Sequence, residues 1–510
     1  MAAVWALGAI AAFAVNLRLA RTRAVNSDGA SNALQAWDML HGNLLLHGWI
    51  LSDVSFYTTE LPQYLLVEVL RGLNADVVPV AAAMTYTLAT LLAARLAQGH
   101  TTGRQALMRV LIAAGIMLAP QLASGVNILI SSPDHIGTSV PVMVVWLILD
   151  HARRRWFVPV IAGALLGAAM VADTLVLLIG VLPLAVVGAI SVTRAVTAGR
   201  KPLASQWYEL ALAAAALAGA AAAVLVLHVI AARGGFSMPA PAAQFVRGGA
   251  MFLRNVGITG QGLLLLGGAD VLGLRLTAST AVTVLHLAGV LLAAWGTGLA
   301  ARRFLRDRDL VVQLLVAGVA LNLAVYVLSS KASVITQTRE IAPVLPFSAA
   351  LAGRLLAGRL QGARLTPLLL AVLLGYLAGL AWEISRPAVA AQNQPLAAWL
   401  EAQHLRTGLS GYWESNVVTL ASGDRVRIRA VAPSGGRLAP SLREADVGWY
   451  DPARNTADFV VLFPGVAGYP GFTAEPAVLA TFGRPARTYH VDGYTILIWN
   501  KNLLAELAGR

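Results

Sequence analysis

Apolar windows of about 16 to 25 residues recur along the chain, near 2–18, 77–97, 106–123, 135–151, 157–172, 174–192, 208–232, 280–300, 310–328, 341–358 and 365–384, close to the length that crosses a bilayer. Between the first two lies a polar segment, residues 19–76, far longer than an ordinary connection. Within it, the spacing of Ala33, Ala36, Trp37 and Leu40 predicts a helix along the membrane surface that begins near Asp28. From about Ala390 the pattern changes. Leu396 to Leu405 reads as an amphipathic helix, while the alternating run Arg425 to Val431 and the short apolar run Ala457 to Leu462 read as strands. The expected fold is a mainly α polytopic membrane protein of about eleven transmembrane helices over 1–385, followed by a small extracytoplasmic α/β domain over 386–510.

Composition agrees with that class. Of 510 residues, 57% are hydrophobic and only 12% charged, far from a soluble average. A net charge of +13 raises the question of nucleic acid, but the basic residues are arginines in short clusters between apolar runs, with no basic stripe interleaved with aromatics. No nucleic-acid partner is expected. Arg153-Arg154-Arg155, then Arg194, Arg200 and Lys201, then Arg302, Arg303, Arg306 and Arg308, then Arg354, Arg359 and Arg364 fall in alternate loops, as cytoplasmic loops do. That puts the N-terminus inside. The first loop, the Ser131–His135 loop, the stretch from Arg233 to about Leu276, the Ser330–Glu340 loop and the tail after Trp382 are then outside; Arg18, Arg21 and Arg23 run against the rule. The first span has no basic flank and is not read as a cleaved signal peptide. The absence of cysteine excludes disulfides, thiolate nucleophiles and Cys-ligated zinc. Heavy use of Ala, Gly and Arg with little Lys is the composition of a GC-rich bacterial genome, such as an actinobacterial one, so the expected location is a bacterial plasma membrane.

The candidate chemistry sits in the outer loops. Asp28, Asp38, Asp53 and Glu60 all lie in the first loop, and Asp134 and His135 open a later span. Each also has a purely structural reading. Asp28 and the Asp134-His135 pair suit helix caps, and Asp53 and Glu60 suit turns. Asp38 suits a solvated helix face, Arg339 a pair with Glu340 or a lipid phosphate, and Lys331 a solvated loop. Asp173, His228, His286 and Asn322, in or beside spans, can be satisfied by neighbours, with Asp173 at an outer turn where it can help line a site.

Asp28, followed by Ala36-Trp37-Asp38-Met39-Leu40-His41-Gly42-Asn43, Trp49, Phe56-Tyr57 and Pro62-Gln63-Tyr64, resembles the first external loop of the GT-C glycosyltransferases. The branch of protein O-mannosyltransferases and aminoarabinose transferases is the most similar. Ser132-Pro133-Asp134-His135-Ile136-Gly137 resembles that family's second-loop acidic phrase. Two features depart from the pattern: Gly29 follows Asp28 where two adjacent acids are usual, and Thr58-Thr59-Glu60-Leu61-Pro62 replaces a lysine-proline-proline phrase.

The resemblance implies transfer of a sugar from a polyprenyl-phosphate donor to a cell-envelope glycan, lipid or protein acceptor, beside membrane lipids and outside the membrane. Asp28 would be the general base, and Asp134 a second carboxylate, either metal ligand or orienting group. If a divalent cation such as Mg or Mn takes part, Asp28 and Asp134 would hold it. Arg339 would clamp the phosphate, with Lys331, His135, Asp53, Tyr57 and Glu60 as further substrate-binding positions. A secondary transporter or lipid flippase would show repeated halves and acids at mid-span, and the halves here are unlike. A non-catalytic scaffold of the cell envelope would need none of these carboxylates. In a catalyst, Asp28 and Asp134 should converge to within about 12 Å.

Overall fold

The computed structural model describes residues 2–122, 126–132, 134–197, 206–239, 243–272, 278–361, 365–389, 393–466 and 469–507. Pro133, Arg200, Lys201 and Arg364 lie outside the described residues. The chain opens with α1 (Ala2–Ala20), then α2 (Ser27–Leu40), β1 (Trp49–Ile50) and α3 (Leu61–Arg71) of the long first loop. A helical bundle follows: α4 (Val77–Gln98), α5 (Gly103–Leu118), α6 (Val126–Leu129), α7 (His135–His151), α8 (Phe157–Ala172), α9 (Leu182–Thr197) and α10 (Trp207–Ala232). It continues through α11 (Gly249–Leu266), α12 (Ala278–Arg303), α13 (Leu310–Val327), α14 (Val344–Gln361) and α15 (Thr366–Ser385).

Every apolar window of the sequence falls on a helix. Seven described helices are long and apolar enough to cross a membrane, and an eighth span results if Ile335–Ile341 and α14, bent by 54°, count as one. The windows at α7 and α8 are shorter apolar helices, and α5 has 16 residues interrupted by Arg104 and Arg109. The protein is a multi-pass membrane protein.

Ion pairs sort the loops onto two ends of the bundle. At one end Arg354 pairs with Asp150 at 2.8 Å and Asp309 at 2.7 Å, and Arg194 donates to the Phe304 carbonyl at 3.2 Å. Arg354 is therefore not a loop residue: it lies inside α14, buried, and ties together α7, α13 and α14. The first loop and the Ser131–His135 turn meet at the opposite end. There the irregular arginines are neutralised: Arg21 and Arg71 share Asp76 at 2.6 Å each, and Arg23 and Arg386 share Glu383 at 3.0 and 3.1 Å. The stretch after Arg233, read from sequence as a loop, holds α11. Asn255 of that helix donates to the carbonyls of Val327 and Ser329, which fixes it against the end of α13.

After the bundle come α16 (Gln394–Ala402), β2 (Thr407–Ser410), α17 (Tyr412–Ala421), β3 (Arg427–Ser434), β4 (Arg437–Pro440) and β5 (Ala445–Asp446). Then follow β6 (Phe459–Val466), β7 (Tyr469–Phe472), α18 (Glu475–Phe482), β8 (Arg487–Val491) and β9 (Tyr494–Ile498). The mixed sheet runs β4-β3-β2-β6-β9-β8, with β7 on β6; β2 is parallel to β3 and β6, and the other pairs are antiparallel. Several contacts fasten this α/β unit to the bundle. β5 pairs with β1 of the first loop in the register Trp49 to Asp446 and Ile50 to Ala445. Arg429 stacks 3.7 Å from the Trp449 ring, which meets Trp49 edge-on at 5.0 Å. The first-loop helix α2 is largely buried, packed beneath α17 and against α3.

Candidate functional site

Local structure brings Asp28 to Asp134. Asn26 caps α2 by accepting from Gly29 N–H at 2.8 Å, and its amide donates to Ser132 at 3.1 Å. Asp28 is thus not the cap, and its carboxyl is free of that duty. A Cβ on Gly29 would stand 2.7 Å from Val78 and 2.9 Å from Ser132, so only glycine lets the start of α2 approach α4 and the Ser131–His135 turn this closely. Asp134 does cap α7, accepting from His135 N–H at 2.8 Å through one oxygen, and turns its other oxygen toward Arg339.

Arg339 joins the two acids. Its Nη1 lies 3.8 Å from Asp28 Oδ2 and 3.6 Å from Asp134 Oδ2, so the two carboxylates stand no more than about 7.4 Å apart. The expected pairing of Arg339 with Glu340 does not form; Glu340 instead accepts from Lys331 at 2.8 Å, and Lys331 also donates to Asp53 at 2.7 Å. Burial raises the Asp53 carboxyl, but the hydrogen bond and charge of Lys331 outweigh it and hold Asp53 below the usual carboxylate range. His135 is buried, its Nδ1 2.7 Å from Asp173 and its Nε2 facing Glu340 at 3.6 Å and Asp134 at 3.8 Å. Asp173 also accepts from Thr138 and from Leu175 N–H, which fixes the ring.

Glu60 and Tyr57 stand apart from this cluster. Glu60 is fully buried behind the site against Gly137, where a Cβ would collide with its carboxyl, and Thr59 donates to it. Burial, with the charges of Asp173 and Asp134, pushes the Glu60 carboxyl up to about 8. Tyr57 donates to the Leu44 carbonyl at 2.7 Å and packs on Phe236: it holds the first loop. Asp38 is likewise internal, accepting from Asn43 and Trp49. His286 Nδ1 pairs with the Gly268 carbonyl and the Asn322 amide donates to the Glu340 carbonyl, with His286 Nε2 and Asn322 Oδ1 buried without a partner among the described residues, while His228 is exposed against its own helix.

Three residues of the α/β unit enter the site. The Tyr412 hydroxyl donates to Asp28 at 2.5 Å and lies 2.8 Å from Glu444, and Arg443 Nη2 is 3.7 Å from Asp28. One phenol hydrogen serves one carboxylate. Burial and the charge of Asp28 push the Glu444 carboxyl up.

An open cleft of about 1240 Å³ lies over this cluster, lined by Asp53, Lys331, Gln337, Arg339 and Arg443 among others. A second cavity of about 690 Å³ shares Asp53 and Lys331 and continues past His135 to Leu178 and Tyr326. An apolar groove of about 770 Å³ between α11, α12, α13 and α14 begins at Val344 and Leu345, a few residues beyond Arg339. The Arg339 guanidinium stands between the two carboxylates, and no group of three His, Asp or Glu side chains suited to a metal occurs among the described residues.

No family model matches the chain, and no curated protein does. Among solved structures it is similar to the crystal structure of ArnT from Cupriavidus metallidurans bound to undecaprenyl phosphate, with 14% identity over 97% of each chain and a TM-score of 0.44. The functional reading therefore rests on this chain's own residues.

Proposed function

We propose that this chain is a GT-C-type glycosyltransferase of the bacterial plasma membrane. It takes a sugar from a polyprenyl-phosphate donor, at the extracytoplasmic face, and inverts the anomeric centre on the way to a cell-envelope acceptor. The observation that carries the reading is the meeting of Asp28 and Asp134 on Arg339, which lines an open cleft. The first-loop phrase around Asp28 supports it independently.

Asp28 takes the proton of the acceptor hydroxyl as its oxygen forms the new bond to the anomeric carbon. The bond from that carbon to the carrier's phosphate breaks, and Arg339 stabilises the departing charge. Asp134 orients Arg339. The apolar groove takes the isoprenoid tail. A transporter reading leaves this outer cluster without a task, and a scaffold has no use for it.

Purified protein in lipid, incubated with a panel of polyprenyl-phosphate sugars, should release polyprenyl phosphate, followed by mass spectrometry. Asp28→Asn keeps size but cannot accept a proton, so turnover should fall by about 10² or more with the fold intact. Near-native transfer by Asp28→Asn would remove Asp28 as base; no release from any donor would count against a glycosyltransferase.

A further inference from the structure

We propose that Arg443, carried by the α/β unit, is the second phosphate-contacting residue of the donor site, so that the carrier's phosphate binds between Arg339 and Arg443. This rests on the donor class proposed above and assigns the C-terminal region a direct part in holding that donor.

The two arginines approach different oxygens of the Asp28 carboxylate. Arg339 Nη1 is 3.8 Å from one carboxylate oxygen and Arg443 Nη2 3.7 Å from the other, both longer than a hydrogen bond. Each guanidinium therefore keeps donors for a ligand, and both line the same open cleft. Lys331, the other cation there, is already engaged at hydrogen-bond distance with Asp53 and Glu340. The Arg339 Nε is buried without an acceptor. Paired guanidinium groups offer parallel N–H donors that match a phosphate's oxygens.

Arg443 is also held in place. It precedes Glu444, whose backbone is left-handed at φ +50°, a conformation costly for a glutamate and retained only where surroundings enforce it. Those surroundings are the β1–β5 pairing one residue on, the Glu444 carbonyl accepting from Ser31 at 3.1 Å, and the Glu444 carboxyl against Tyr412. The result directs Arg443 over the Tyr412 ring, 5.5 Å from its centre, toward Asp28. Its side chain is half exposed, as befits a residue that lines an open cleft.

The test is binding of undecaprenyl phosphate to the full chain in nanodiscs, compared with undecaprenol, which has the same tail and no phosphate. Arg443→Ala should weaken the phosphate lipid about ten-fold or more and leave undecaprenol unchanged, with Arg443→Lys intermediate because one ammonium replaces the planar fork. Arg487→Ala, on β8 away from the cleft, should bind both as wild type does. Thermal melting checks the fold of each variant, and Arg443→Gln serves if alanine loosens the interface. Inorganic phosphate at millimolar concentration should not displace the lipid; displacement would make this a site for soluble phosphates and overturn the proposal. Equal weakening of both lipids, or wild-type binding by Arg443→Ala while Arg339→Ala fails, would make Arg443 an interface residue only. A wild type that binds neither lipid overturns the proposed donor class as well.

Discussion

At the scale of single residues, Gly29 explains a departure that the sequence alone presents as a loss. Where a second acid is expected beside Asp28, a side chain would strike Val78 and Ser132 at 2.7 and 2.9 Å, and the start of α2 could not lie against the Ser131–His135 turn. Gly29→Ala should therefore push Asp28 off Arg339 and reduce turnover about ten-fold, with a melting temperature lower by about a few degrees from overpacking. A variant with wild-type turnover would show that the spacing of Asp28 and Asp134 does not matter. Asp28, Asp134, Arg339 and Lys331 were legible because each is a charged residue in a polar break between apolar runs. Tyr412, Arg443 and Glu444 were not: Tyr412 reaches Asp28 across 384 residues, and no local spacing marks such a contact. The Tyr57 contact was not legible either, since its hydroxyl reaches the Leu44 carbonyl across 13 residues.

At the scale of elements, hydrophobic periodicity located the bundle helices and α2, because both follow from repeating contacts of a single segment. It missed α11, whose glycines, Arg254 and Asn255 dilute its apolar signal while Asn255 anchors it to α13. It could not show that α17 of a distant region covers α2. The first-loop helix α3 carries a further buried acid, Glu68, with neither carboxylate oxygen hydrogen-bonded among the described residues. Burial pushes its carboxyl from the ordinary 4.5 up to about 9. Folded chain then holds a proton that unfolded chain has lost, so this contribution is full below about 4.5 and falls as pH rises toward 9. Glu68→Gln should raise the melting temperature at pH 8 by about a few degrees and flatten its decline between pH 5 and 9. An unchanged pH profile would mean that water or a partner already satisfies Glu68.

At the scale of the whole molecule, the bundle has two chemically different ends. One gathers the arginine clusters and the buried Arg354–Asp150–Asp309 triad; the other gathers Asp28, Asp134, Arg339 and the α/β unit. Contacts within the protein establish that the first loop, the Ser330–Glu340 segment and residues after Trp382 share an end, since Asp53 meets Lys331 and Tyr412 meets Asp28. They leave open which end faces the cytoplasm. We propose that the Arg354 end faces the cytoplasm, because short loops rich in Lys and Arg are retained inside. A reporter active only in the cytoplasm should therefore be silent when fused after Arg510 and bright when fused in the loop after Arg308. The reverse pattern would place Asp28 and its cleft on the cytoplasmic side, where the proposed extracytoplasmic transfer has no place.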